Sequence, residues 1–252
     1  MSDQQLIDLF LEMILTERAA SLNTISSYSK DLNQFIISVP RLSNNIFEYA
    51  VRDDLKNYLI LLNKRKFAAS TASRKLSCLR QIFKFLYAEG IRKDNPTLNL
   101  ESPSIGRSLP KVLSEKQVSK LLGAAEARAR ETLKLFDFRL LALIELLYAT
   151  GLRVSELVSL PRASFRSEEP YIYIRGKGNK ERLVPLSARS QAAVKDYLNV
   201  MALAKNAKGK EKYSQNQKKW LFPSTGKLGH LTRHRFAQLL KGLGIKAGIL
   251  PS

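Results

Sequence analysis

The sequence is short of acid, of cysteine and of long apolar runs, and each shortage removes a class of protein. Only 22 Asp and Glu stand against 42 Lys and Arg, a formal charge of +20 over 252 residues. A globular chain with that excess is expected to meet a polyanion, nucleic acid first. A basic ribosome-associated or merely soluble protein is the bland alternative, because charge speaks to partner and not to fold. Cys78 is the sole cysteine. It excludes a disulfide framework and a Cys-based zinc site within one chain, and it suits a reducing cytoplasm. Residues 1–15 carry acids and lack a basic start, so no signal peptide is expected. The longest apolar stretch, residues 140–148, is interrupted by Glu145 and is too short to cross a bilayer, so no membrane partner is expected. No internal repeat or low-complexity region stands out.

Hydrophobic residues make up 44% of the chain, enough for two ordinary cores. Residues 1–95 read as helices joined by short loops. Leu6, Leu9, Phe10, Met13 and Ile14 repeat at helical spacing, as do Ile25, Tyr28, Leu32 and Phe35. Asp53 or Asp54 is expected to cap a third helix, and Ser70 a fourth. On the fourth, Arg80 and Lys84 form an i, i+4 cationic stripe with Arg74 and Lys75 before them. Few acids interleave with these cations, which favours phosphate contact over a merely solvated face. Pro96, Pro103 and Pro110 mark residues 96–112 as a semi-stiff linker.

Residues 113–252 form the second expected domain. Ser114 and Gln117 make a capping box. A mostly buried helix through Phe138, Leu141, Ile144, Glu145 and Tyr148 stops at Gly151. Residues 171–174 and 183–186 are β-like runs around a Gly/Asn turn, and Pro185 confines the second to an edge. Residues 192–203 are helical again, and residues 205–219 read as a polar, lysine-rich loop. Thr232 caps a last helix whose Phe236, Leu239, Leu240 and Leu243 share a face.

Two segments carry chemistry. Arg153 follows Gly151 at a helix boundary, where its head can leave the core. The plain alternative is an arginine satisfying the carbonyls of the preceding helix. An arginine fork matches two phosphate oxygens better than lysine does, and Glu156, three residues on, can orient it. Lys177 lies between Gly176 and Gly178 at the hairpin tip, where backbone can approach a ligand closely. Lys180 and Arg182 add to the positive field there, although surface hairpins carry lysines routinely.

These segments resemble the tyrosine recombinases of the phage-integrase family, Xer type. The resemblance rests on Asn23-Thr24, Tyr28 and Asp31-Leu32, then Ser108-Leu109-Pro110-Lys111 and Leu113-Ser114-Glu115. It continues through residues 148–157 and 176–182, Leu221-Phe222-Pro223-Ser224 and Leu231-Thr232-Arg233. It implies a mainly α fold with a small β-hairpin: a helical core-binding (SAM-like) domain at 1–95 and a recombinase catalytic domain at 113–252, closing on DNA as a C-shaped clamp. It implies strand cleavage through a phosphotyrosine, chromosome-dimer resolution, double-stranded DNA with a palindromic site as partner, and a paired Xer-type recombinase in a tetrameric synapse. No metal, ATP or other cofactor is implied. Arg153 matches the first catalytic arginine and Lys177 the hairpin general acid, with Glu156 in support. Arg74, Lys75, Arg80, Lys84, Lys180 and Arg182 are expected to bind DNA.

The family pattern then asks for His-x-x-Arg and a later tyrosine. His230 and Arg233 have the literal spacing. Their surroundings resemble the helix that precedes the true motif, so the pair is read as a decoy. The tyrosines lie at 28, 49, 58, 87, 148, 171, 173, 197 and 213, none beyond. The chain is therefore expected to be C-terminally truncated and catalytically incomplete, with exposed apolar surface around Leu240 and Ile249 and a loose second domain. The competing reading is a non-catalytic DNA-binding or regulatory fragment.

Overall fold

The structure, a computed structural model, describes residues 1–39, 45–104, 106, 112–175, 181–204 and 212–249, with Arg175 described in its backbone alone. The chain divides into two compact units, Met1–Leu109 and Pro110–Ser252. Each has its own apolar core.

The first unit holds α1 (Asp3–Thr16), α2 (Leu22–Ser38), α3 (Ile46–Tyr49), α4 (Arg52–Lys64) and α5 (Ala69–Ala88). Ser2 and Gln5 close a capping box at α1, and the Ser21 hydroxyl accepts the Thr24 amide at α2. These caps satisfy amides that the first helical turn leaves without partners. Phe10, Phe35, Phe47 and Phe83 are fully enclosed, and Phe35 meets Tyr58 edge-on with centroids 5.1 Å apart. Each such ring contributes roughly 1.5–3 kcal/mol through burial.

Two helix starts differ from expectation. Val51, not Asp53 or Asp54, is the N-cap of α4; the Asp54 carboxylate sits inside the first turn and accepts the Val51 amide at 3.0 Å. A carboxylate three residues in closes this start as well as a cap would. α5 begins after Ala68, which places Ser70 within its first turn. The four-residue α3 is too short for a periodic signal.

The second unit opens with α6 (Glu115–Thr132), whose capping box pairs Ser114 with Gln117. α7 (Leu135–Thr150) follows, buried almost all round and packed between α6 and α9 (Ala188–Leu203). It ends at Gly151, whose φ of +60° favours glycine. Next come α8 (Val154–Val158) and the antiparallel pair β1 (Tyr171–Arg175) and β2 (Glu181–Pro185). In this two-stranded sheet Ile172 faces Val184 and Ile174 faces Arg182, so both strands are edges and Pro185 fits. The short α10 (Gln215–Lys218) and α11 (Arg233–Lys246) complete the unit; the Thr232 hydroxyl accepts the Arg235 amide at the start of α11.

Two expectations are corrected by the structure. Within the stretch expected as a polar loop, Tyr213 is buried in the second core, and α10 follows it. Ile249 is enclosed as well, its amide bonded to the Gly244 carbonyl at 2.8 Å, and Leu240 is partly buried against the same core. The turn after α11 folds back onto the core, and Ile245 takes the exposed position instead. Among the described residues no helix is long and apolar enough to cross a membrane.

Candidate active site and nucleic-acid-facing cations

Gly151 turns the chain out of α7, and Arg153 becomes the N-cap of α8. Glu156, at the third position of that helix, reaches back to it. Its Oε2 accepts the Arg153 amide at 3.0 Å, and its Oε1 accepts Arg153 Nη1 at 3.2 Å. The helix start and the arginine head are thus fixed by one carboxylate. The Glu156 side chain is 11% exposed and that of Arg153 is 71% exposed. This geometry holds one terminal nitrogen of the guanidinium and leaves most of the side chain exposed. Enclosure alone raises the Glu156 carboxyl, but the Arg153 amide, the Arg153 side chain and Arg182 outweigh it and leave its pKa below the ordinary carboxylate value.

Arg182 reaches the same carboxylate from β2, with Nη2 3.1 Å from Glu156 Oε2. The structure therefore brings Arg153, Glu156 and Arg182 together. Lys177 and Lys180 lie outside the described residues.

The stripe expected on α5 divides. Lys75 does not stand on it: its head is buried, donating to Asp31 Oδ1 at 2.7 Å and to Gln34 Oε1 at 2.5 Å. A lysine one position from the exposed face points inward at helical spacing, and Asp31 supplies the anion that such burial requires. Arg74, half exposed, grips both oxygens of Asp31 from the outer side. Arg80 donates to the Leu100 carbonyl and to Ser102 Oγ at 2.9 Å, which ties α5 to the segment after it. Lys84 is exposed, and among the described residues it has no ion-pair partner. Asp31 was missed as a partner for these cations. Its position beside Tyr28, Leu32 and Phe35 on α2 was the available signal.

His230 stands before α11. Its Nδ1 pairs with the Leu231 carbonyl at 2.8 Å, and its ring meets Trp220 edge-on at 4.8 Å between centroids. Arg233 is the first, exposed residue of α11. Among the described residues no group of His, Cys, Asp and Glu could hold a metal ion.

Two family models cover most of the chain. The phage integrase family matches residues 111–251, and the phage integrase N-terminal SAM-like domain matches residues 7–90. The chain belongs to the phage integrase family, the tyrosine recombinases. Within it the sequence is XerD-like. It is 47% identical over 245 residues to tyrosine recombinase XerD of Rhizobium meliloti (strain 1021), covering 96% of this chain and 75% of the relative. It is 44% identical over 253 residues to XerD of Bradyrhizobium diazoefficiens, covering 98% and 78%. The fold recurs in a lambda integrase dimer bound to a COC′ core site, with TM-score 0.66, 17% identity, and coverage of 100% of this chain and 84% of that one. It recurs in the XerH recombinase bound to difH, with TM-score 0.65, 18% identity, and coverage of 100% and 70%.

Proposed function

We propose that this chain binds double-stranded DNA at a palindromic recombination site in the cytoplasm. There it works with a paired Xer-type recombinase in a tetrameric synapse. Arg153 carries the reading. Its exposed guanidinium is held through Nη1 by Glu156, and the donors left free on that planar group suit the non-bridging oxygens of a scissile phosphate. Lys177 takes the position of the residue that, in the family's cleavage step, protonates the departing 5′-oxygen. Arg74, Arg80, Lys84 and Lys180 contact flanking phosphates, and no cofactor takes part.

The 252-residue chain itself binds without cutting. Tyr213 is enclosed in the second core, which speaks against it as a nucleophile. His230 is engaged by a backbone carbonyl and Trp220 while Arg233 faces outward, which favours the decoy reading. The second reading, a non-catalytic DNA-binding or regulatory fragment, draws on these same two observations.

A nicked suicide duplex bearing a Xer-type site separates the outcomes. The expected result is a retarded complex that dissolves on denaturation. Its log K should fall steeply with log[salt], and Arg153→Ala should lower that slope by about 0.9. A protein–DNA adduct that survives denaturation would refute the non-cutting part. Binding indifferent to salt would refute the DNA-binding part.

A further inference from the structure

Arg182 was expected among the DNA-binding cations, and its position argues for another task. Side chains alternate along a strand, so Arg182 and Val184 share one face of β2. The residues opposite them on β1 are Ile174 and Ile172, each only 1% exposed. Arg182 thus leaves the hairpin from its core-facing side, at the end nearer the tip. Its side chain is 47% exposed, and the anion it reaches is the enclosed carboxylate of Glu156 on α8.

Both oxygens of Glu156 accept bonds. Oε1 takes Arg153 Nη1, and Oε2 takes both the Arg153 amide and Arg182 Nη2. The carboxylate cannot turn toward Arg182 without loosening Arg153, and it is held in place from both sides. We propose that Arg182 is a positioning residue, which ties the hairpin to α8 through Glu156 and so fixes the direction in which Arg153 points. Two cations on one carboxylate leave one net positive charge, and the more exposed of the two side chains is Arg153, 71% against 47%. This inference rests on the reading of Arg153 as the phosphate ligand.

The test uses the 252-residue chain, its Arg182→Gln, Arg182→Lys and Glu156→Gln variants, and the double variant Arg182→Gln/Glu156→Gln. Trp220 fluorescence in urea confirms that each second unit folds. In the first arm, NMR follows the Glu156 carboxyl through titration. Arg182→Gln should move its midpoint to higher pH, with Arg182→Lys staying nearer the unaltered chain; an unmoved midpoint overturns the tether. In the second arm, binding to a random-sequence DNA duplex is measured. Arg182→Gln should weaken binding on the order of threefold to tenfold in the unaltered background and less than about twofold beside Glu156→Gln. Equal losses in both backgrounds would mark Arg182 as a direct phosphate contact and overturn the proposal, as would no loss in either. If the unaltered chain shows no salt-dependent binding, the proposed function fails instead, and the titration still decides whether the tether exists.

Discussion

Replacing Asp31 with asparagine tests whether one buried charge holds the first unit's cations. Asn keeps the shape of the side chain and removes the anion. Asp31 is 5% exposed and so is the Lys75 side chain, with 2.7 Å between their charged atoms. Without Asp31, a buried ammonium is left with neutral acceptors. Breaking such a pair costs about 3–5 kcal/mol. Gln34 remains at 2.5 Å and the new amide can still accept, so the low end applies, about 3 kcal/mol. Arg74 adds little, since water screens its half-exposed head. At 4 °C or more per kcal/mol for a unit of this size, the melting temperature should fall by roughly 12 °C or more.

The chain carries its own probe for each unit. Cys78, its sole cysteine, is fully enclosed in the first core, where burial and then Asp31 push its thiol far up. It should label only when that unit opens. Trp220, the sole tryptophan, belongs to the second unit. In a urea series the Cys78 labelling curve of Asp31→Asn should shift to lower denaturant while the Trp220 transition stays. Adding Lys75→Met should recover most of the loss, because it removes the stranded charge. A Cys78-reported change below about 0.5 kcal/mol would refute the reasoning, as would a double variant no better than the single.

Two further outcomes follow from buried groups. Burial raises the Glu145 carboxyl above its ordinary value despite Arg189 at 2.9 Å. Between the unfolded and the higher folded pKa the native state binds more protons, so stability falls as pH rises through that window. Trp220-reported stability should therefore gain as pH falls from neutral toward the ordinary carboxylate value, and Glu145→Gln should remove that component; an identical pH profile would contradict it. Arg92, 8% exposed, donates to the Phe47 carbonyl at 2.8 Å and the Glu48 carbonyl at 2.5 Å, and lies over the Phe83 ring. Arg92→Met leaves those carbonyls without a donor and should cost about 2–3 kcal/mol by Cys78 labelling, with Arg92→Lys recovering only part.

Elements signalled by periodicity and caps were legible in the sequence. Ser114 with Gln117, Thr232 and Gly151 each fix a helix end through local chemistry, and local chemistry is what a sequence displays. The starts of α4 and α5 were misplaced because Asp54 acts from within the turn and Ala68 carries no side-chain signal. Tyr213 and Ile249 were misjudged because their burial depends on tertiary packing that no window of neighbours encodes. The site divided in the same way. The pairing of Glu156 with Arg153 spans three residues and could be read. The reach of Arg182 to Glu156 spans 26, and that of Lys75 to Asp31 spans 44, so both needed the fold.

The charge pattern of the two cation clusters leads to a last prediction. At Asp31 two cations share one carboxylate, and at Glu156 two more share another. The network joining α6, α7 and α9 differs: Arg130 and Arg189 meet Glu126 and Glu145, two cations on two acids. A balanced network serves packing and leaves no field. An unbalanced one fixes its arginines and still presents net positive charge. If DNA affinity came from net charge alone, Glu156→Gln would tighten binding, since it raises the formal charge from +20 to +21. If the carboxylate's work is to hold Arg153 in place, the same change frees the guanidinium and its entropy must be lost again on binding. Glu156→Gln should then bind a random-sequence duplex on the order of threefold more weakly despite the added charge. A tighter complex at every salt concentration would show that the field, not the fixed arginine, governs recognition.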